Sequence, residues 1–460
     1  MTKKSVAFSE LPLDVVFEIL GFLPVEDIIR IRYVCRSLRS ASYQRTIWAT
    51  AYKRSELLLP EGPSCDQDAS QLEELLVRAS RIRRNWTSSC PMTFSKRQFP
   101  HRLPAHSFDA NVISGRFLQL AQKDGLAWYD LDANLSSLPI MAYPCRNVNT
   151  AVGFLNHQVN ADGQGPGVAW VAFVCDQPPS TIVILKVDFS RLEVALHSRV
   201  PANNLIAMTL SHDWLLPVRE FRSADDPMDL YHIPTKSLIS FPMHERVRHL
   251  SDLTRMNFII TSQFLFLLLS VHSETLVDVY PLPQNESADE MPSNLVRSHT
   301  GSYPHPISKL QLFDPSIVNT SIHPIEQDIQ LSFLGLIFVN RGPTGWTSKI
   351  GLHLFDMILH PDGNLTFTTQ SERILNVGMS STELYHCSRS GQCLAVTHST
   401  PGPVIFAHHI QRKDSGCVMN VKSIKVPELA QIRDMLGFDG FTGRICLVNG
   451  FSNIEILDCA

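Results

Sequence analysis

The sequence predicts a two-part protein: a small helical unit followed by a much larger all-β unit, best read as a seven-bladed β-propeller. Three observations predict it. Apolar residues recur at helical spacing over about the first ninety residues and then lose that period. From Pro91 onward, short apolar strands alternate with turns rich in Gly, Asp, Pro and Ser. Those strands repeat, an aliphatic run ending near Asp, Tyr or His recurring seven times.

The first helix is carried by Leu11, Val15, Ile19 and Leu23, four apart on one face, joined by Val16 and Leu20. Pro24 stands where a second helix would start, with Glu26 and Asp27 in its first turn, favourable against the helix dipole. Ile28, Ile31, Val34, Cys35 and Leu38 continue at steps of three and four. A third helical stretch ends near Ile47 and Trp48, followed by Ala49, Ala51 and Tyr52. Pro60 to Ser64 breaks the pattern. Another amphipathic helix then turns Leu72, Leu75, Leu76 and Ala79 inward and stops between Trp86 and Pro91. Its arginines (78, 81, 83 and 84) share the helix with Glu73 and Glu74, so they read as a solvated face and not as a nucleic-acid patch.

In the β-unit, Lys123-Asp124-Gly125 and Asn449-Gly450 each separate two apolar runs as hairpin turns do. The seven repeat anchors are Ala127–Asp130, Leu185–Asp188, Asp229–Tyr231, Leu276–Asp278, Leu352–Asp356, Ile405–His409 and Ile454–Asp458. Five of the six steps between them fall near the roughly 40–50 residues of a four-stranded blade. The longest step contains the proline-rich stretch Pro281 to Pro315, which reads as a solvent-facing loop inserted between blades. The Gly-His and Trp-Asp signature of WD repeats is missing, so the unit is WD-repeat-like in architecture only, and β-sandwich domains are the alternative. The expected segments are a tail (1–8), a helical domain (9–55), a linker with an amphipathic helix (56–91) and the propeller (92–460). A strand between Met92 and Phe108 should pair with the last sheet, because a propeller closes by sharing one blade between its ends.

Composition narrows the function. The chain has 460 residues, 44% apolar, with 40 basic and 44 acidic side chains. That apolar fraction supports a real core, and a formal charge of -4 offers no general field for nucleic acid. Ten scattered cysteines suit reduced thiols, hence a cytoplasmic or nuclear setting. No apolar signal follows Met1, so the five Asn-x-Ser/Thr triplets count as chance. The apolar run Phe258 to Val271 is too short for a spanning helix of about twenty residues and reads as buried strands.

The N-terminal segment resembles an F-box. Leu11-Pro12-Leu13-Asp14-Val15-Val16-Phe17-Glu18-Ile19-Leu20, Leu23-Pro24-Val25-Glu26-Asp27-Ile28, Val34-Cys35-Arg36-Ser37-Leu38 and Ile47-Trp48 stand in that family's order and spacing. Leu38 departs from it, standing where many members carry an aromatic residue. An F-box followed by a propeller resembles F-box substrate receptors, in style those of fungi. The resemblance implies a SKP-type adaptor as partner, and through it a cullin–RING ubiquitin ligase. It implies adaptor contacts at Leu11, Pro12, Val15, Ile19, Leu20, Leu23, Ile28, Val34, Cys35, Leu38 and Trp48.

Catalytic signatures are missing. The sequence holds no GxxxxGK[ST] loop, HExxH pair or GxSxG elbow. Gly163 to Gly167 precedes a strand, so it reads as a turn. His386, Cys387, Cys393, His398, His408 and His409 lie close in sequence, but their spacing fits no common zinc site. No cofactor, metal, nucleic acid or membrane partner is therefore expected. Arg219 with Arg222, and Arg246 with Arg248, are the only local arginine pairs that could read a phosphorylated target. The expected function is a non-catalytic substrate-recognition subunit of an SCF-type ubiquitin ligase. The alternatives are a propeller hydrolase whose F-box governs its own turnover, and an F-box scaffold acting outside any ligase.

Overall fold

The computed structural model describes residues 11–459 apart from connecting stretches. The longest of these are 103–109, 149–156, 159–167, 221–225, 248–252, 284–290, 313–327, 342–346, 376–381, 387–391 and 425–431. The helical part comprises α1 (Leu13–Gly21), α2 (Val25–Arg30), α3 (Arg36–Ser42), α4 (Arg45–Arg54) and α5 (Ala69–Thr87). A single 3-10 turn, Ile31–Tyr33, lies between α2 and α3. Pro12 and Pro24 directly precede α1 and α2, both at φ -56°, where the missing N–H costs nothing. α5 starts on a reciprocal cap: Asp68 Oδ1 accepts the Gln71 N–H at 2.8 Å, and Gln71 Oε1 accepts the Asp68 N–H at 2.9 Å.

From Ser95 onward the described chain forms seven four-stranded antiparallel sheets. Six are built from consecutive strands, within residues 110–144, 157–201, 205–241, 253–303, 307–375 and 382–423. The seventh combines Ile432–Asp439, Arg444–Asn449 and Asn453–Asp458 with Ser95–Arg102, which pairs Ser95 to Asp458 and Gln98 to Glu455. The expected pairing of an N-terminal strand with the last sheet is present. Each sheet packs on its successor, and Ala110–Ile113 of the first touches Ile432–Asp439 of the seventh.

All seven repeat anchors fall on the third strand of their sheets, counted in chain order from the first strand, with Ser95–Arg102 as the fourth strand of the last sheet. The recurring Asp has local work there. Asp130 accepts two hydrogen bonds from Arg116, at 3.0 and 2.7 Å. Asp356 accepts from Ser332, Gln330 and Gln370. Such a buried carboxylate persists because donors surround it. Gly125 is obligatory at the 123–125 turn: at φ +145°, a Cβ would lie 2.0 Å from the Tyr143 carbonyl oxygen.

The apolar run Phe258 to Val271 forms parts of two paired strands, Leu253–Ile260 and Phe264–Val271, with Phe264 to Leu269 buried. The loop expected over 281–315 is corrected. That stretch supplies two strands, His299–Tyr303 and Ile307–Leu312, and buries Leu295, Tyr303 and Ile307. Ahead of them, Ser293 and Leu295 hydrogen-bond Ser240 on the outer strand of the third sheet, at 3.0 and 2.8 Å. The Thr300 N–H likewise reaches the Gly363 oxygen of the next sheet at 3.1 Å. These parallel bridges cover strand edges that would otherwise stand open. Prolines placed between the pairing segments left the ladder donors intact, so composition alone misread them.

Among the described residues no helix is long and apolar enough to cross a membrane. The 163–167 glycine turn and Cys387 lie outside the described residues.

Candidate interaction site on the N-terminal helices

α1 presents two apolar faces, and only one is used internally. Val16, Leu20 and Gly21 are buried. Gly21 allows α4 to approach so closely that a Cβ would sit 2.7 Å from Thr50 Cγ2. With Val25, Ile28, Leu38, Ala41, Ile47, Trp48, Ala51 and Tyr52, these side chains form one core, closed by Leu72 and Leu76 of α5. Trp48 Nε1 donates to the Ser42 carbonyl at 2.8 Å, so the indole is buried with its donor satisfied. Burial pushes the Tyr52 hydroxyl up to about 12.

The outer face stays apolar in water. Leu13 is 60% exposed, Phe22 70%, Tyr33 88% and Val34 69%, with Val15 and Ile19 also open. Arg54 stacks on the Phe22 ring at 3.9 Å and approaches Glu18 at 3.5 Å, giving the patch a charged rim. An apolar patch with a polar border, built on a folded scaffold, is the form of a protein-docking surface. Beside it a cleft of about 820 Å³ runs between the α1–α2 corner, α4 and α5, lined by Phe22, Leu23, Arg54, Ser80, Arg83 and Arg84 among others. Glu26, at its edge, accepts from Ser80, which holds its carboxyl below the usual range, aided by Arg84 and Arg30.

The eleven residues expected to contact an adaptor therefore divide. Pro12, Val15, Ile19, Val34 and Cys35 are exposed, and Leu11 and Leu23 are half-buried against the core. Leu20, Ile28, Leu38 and Trp48 are corrected: they are core residues, at most 8% exposed, with no surface to offer a partner. The i, i+4 spacing finds both faces of α1, but which face turns inward is decided by α4 and α5. Sequence reasoning missed Phe22 and Tyr33 as docking candidates. Their signal was a large aromatic at each helix junction, outside the periodic pattern.

α5 joins this unit to the sheets. Arg32 donates to both carboxylate oxygens of Glu73, at 2.8 and 2.6 Å, and to Ser42 Oγ, while lying over the Tyr43 ring. Further along α5, Ile82 and Trp86 enter a second core with Ile424, Met435, Ile445, Leu447, Leu457 and Cys459 of the sheet unit. One helix thus belongs to two cores.

Among the described residues of the β-unit no comparable site emerges. Arg222, Arg246 and Arg248 lie outside the described residues, and Arg219 pairs with Asp229 at 2.9 Å. Among the described residues no group of three or more His, Cys, Asp or Glu side chains could hold a metal ion.

Residues 8–50 match the family model of the F-box domain. No curated protein matches the chain. A solved structure from Bacteroides fragilis, described as a candidate 6-phosphogluconolactonase, is 10% identical with a TM-score of 0.44, covering 76% of this chain and 92% of that one. At that score the likeness carries no argument. F-box domains in general bind the SKP-type adaptor of cullin–RING ligases. The matched segment ends inside α4 and encloses the outward face of α1, and on that ground the chain carries an F-box domain over residues 8–50.

Proposed function

We propose that this protein is a substrate-recognition subunit of an SCF-type ubiquitin ligase. The F-box docks a SKP-type adaptor, and the β-unit, a seven-bladed propeller, presents a target protein. One observation carries the reading: α1 keeps Val15, Ile19 and Phe22 in solvent along one side while Val16 and Leu20 of the same helix close a core. A helix that needed only to fold would place polar residues there. The propeller reading is supported by seven successive four-stranded sheets and by the N-terminal strand that joins the last of them.

The chain itself does no chemistry in this reading. It raises the effective concentration of target lysines near the ubiquitin-conjugating enzyme. α5 supports that role, because a helix shared by two cores holds the adaptor face at a constant orientation to the β-unit. The proposed setting is the cytoplasm or nucleus, where such ligases work.

Titration of the purified full chain with a SKP-type adaptor tests it. Ile19→Asp with Phe22→Asp places two charges in the docked face and should weaken binding at least a hundredfold. Both side chains are on the surface, so melting should not change. Wild-type affinity in that double variant would remove the F-box contact, and the receptor function with it.

A further inference from the structure

Two thiols meet between the first and second sheets. Cys145 follows the strand Met141–Pro144, and Cys175 ends the strand Val168–Cys175. Their sulfurs are 3.3 Å apart, 30 residues apart in sequence. Both backbones are anchored. The Cys145 N–H donates to the Asp124 oxygen at 3.0 Å, Cys175 pairs with Thr181, and Val148 bridges to Cys175 from the Cys145 side. Cys175 is buried in a core with Phe173, Val183 and Met141, while Cys145 is half-buried at its edge. The remaining approach to a bonded distance of about 2.05 Å is little more than an ångström, within reach of side-chain rotation.

We propose that Cys145 and Cys175 are a pair that, under sustained peroxide, forms a disulfide stapling the first two sheets. Hydrogen peroxide, a hydroperoxide oxidant, reaches the more exposed sulfur. The Cys145 thiolate attacks one peroxide oxygen, an S–O bond forms, the O–O bond breaks, and the departing hydroxide takes a proton to leave as water. Cys145 is now a sulfenic acid. The Cys175 thiolate then attacks the Cys145 sulfur, the S–S bond forms, and the S–O bond breaks with loss of a second water. Two thiols and one peroxide give one disulfide and two waters, so atoms and electrons balance.

The environment sets the speed. Burial, then the hydrogen bond and charge of Cys175, push the Cys145 thiol up to about 11, with Arg199 acting the other way. Little thiolate exists at neutral pH, so the pair resists brief exposure and responds to sustained oxidant. That separates it from Cys35, Cys65 and Cys90, which are exposed and open to single-site oxidation.

The test treats the full chain with hydrogen peroxide at pH 7, 8 and 9, then alkylates remaining thiols and maps peptides by mass. The expected result is a Cys145–Cys175 linked peptide, about 2 Da lighter than the two thiol peptides together. Its rate should rise about tenfold per pH unit, following the thiolate fraction. Closing this loop should also raise the melting temperature by several degrees, reversed by dithiothreitol. Cys145→Ser and Cys175→Ser should each abolish both the linked peptide and the shift. Recovery of both cysteines as alkylated thiols, of Cys145 as a sulfinic acid, or of either in a link to Cys35, Cys65 or Cys90 would overturn the proposal. The wild-type map decides even if a serine variant folds poorly.

Discussion

Asn85 and Cys459, 374 residues apart, are hydrogen-bonded: Asn85 Nδ2 donates to the Cys459 carbonyl at 2.9 Å and to the Met92 carbonyl at 2.7 Å. The Asn85 Oδ1 accepts the Met92 N–H at 3.1 Å, so one buried amide ties α5, the chain leaving it and the last sheet together. Around it, Lys422 Nζ donates to the Thr87 and Ser88 carbonyls, and Gly443 leaves room for Ile82. The joint between F-box and β-unit is therefore a packed interface. Asn85 also belongs to one of the Asn-x-Ser/Thr triplets, and at 7% exposure it has no room for a glycan.

Removing that amide should be costly. Asn85→Ala leaves the Met92 and Cys459 carbonyls and the Met92 N–H without their partner, at roughly 1–3 kcal/mol for such buried groups. Urea unfolding should show that loss together with easier proteolysis between α5 and Ser95. An unchanged midpoint would mean that the packing of Ile82 and Trp86 alone holds the joint.

Core and surface substitutions on α1 should separate cleanly. Leu20→Ala opens a cavity in the core that also holds Trp48 and Leu72, with an expected loss of about 2–5 kcal/mol in F-box stability. Phe22→Ala, 70% exposed, should leave melting nearly unchanged and reduce adaptor affinity on the order of tenfold. Circular dichroism melts and adaptor titration on the same two variants make the comparison. The opposite pattern would invert the assignment of the two faces.

The ease of reading the sequence tracked where the information lies. The third strands were legible because runs such as Leu126–Tyr129 and Ile182–Leu185 are buried and side chains near their ends have local partners, as Asp130 does with Arg116. The F-box was legible because helical spacing and the two helix-starting prolines agree. The inward face of α1 was not, since Ile19 and Leu20 are adjacent and both apolar, and the packing of α4 and α5, including the approach of Thr50 to Gly21, distinguishes their sides. The segment around Ser293 was not, because its pairing partner, Ser240, lies in another sheet. The Cys145–Cys175 contact depends on sheet packing and leaves no spacing signature.

Two carboxylates, one buried and one half-buried, should give stability opposite dependences on pH. Burial alone would raise Asp458, but hydrogen bonds and charge from Arg444, with Arg97 and Ser95, outweigh it and hold the carboxyl below the usual range. Its contribution is present above the unfolded value of about 3.9 and is lost as pH falls through the lower folded value. Asp278 goes the other way: its burial exceeds the pull of His244, Thr300 and Arg297, so its carboxyl is raised. Its contribution is present at low pH and is lost as pH rises above about 3.9. Asp458→Asn should therefore cost most at neutral pH and least below pH 4. Asp278→Asn should gain on the wild type as pH rises from 4 to 7. Melts across that range decide, and parallel curves for the two variants would contradict the assignment.

The last prediction concerns the C-terminal strand. Deleting residues 453–460 removes Asn453–Asp458, which lies between Arg444–Asn449 and Ser95–Arg102 in the seventh sheet. Arg444, 7% exposed at its side chain, would lose Asp458 at 2.7 Å, while the half-exposed Asp132 at 2.8 Å would remain. A buried charge stripped of its main partner costs about 3–5 kcal/mol. Asn85 would lose Cys459, and the core shared by α5 and the last sheet would lose Leu457 and Cys459. The N-terminal strand would then have no neighbour, leaving two open edges in place of one continuous sheet. These losses exceed what a marginally stable domain can absorb. The truncated chain should therefore lose the melting transition of the whole β-unit. If that transition survived at the wild-type temperature, the pairing of Ser95–Arg102 with the last sheet would be peripheral to stability, and the proposed closure by a shared sheet would fail.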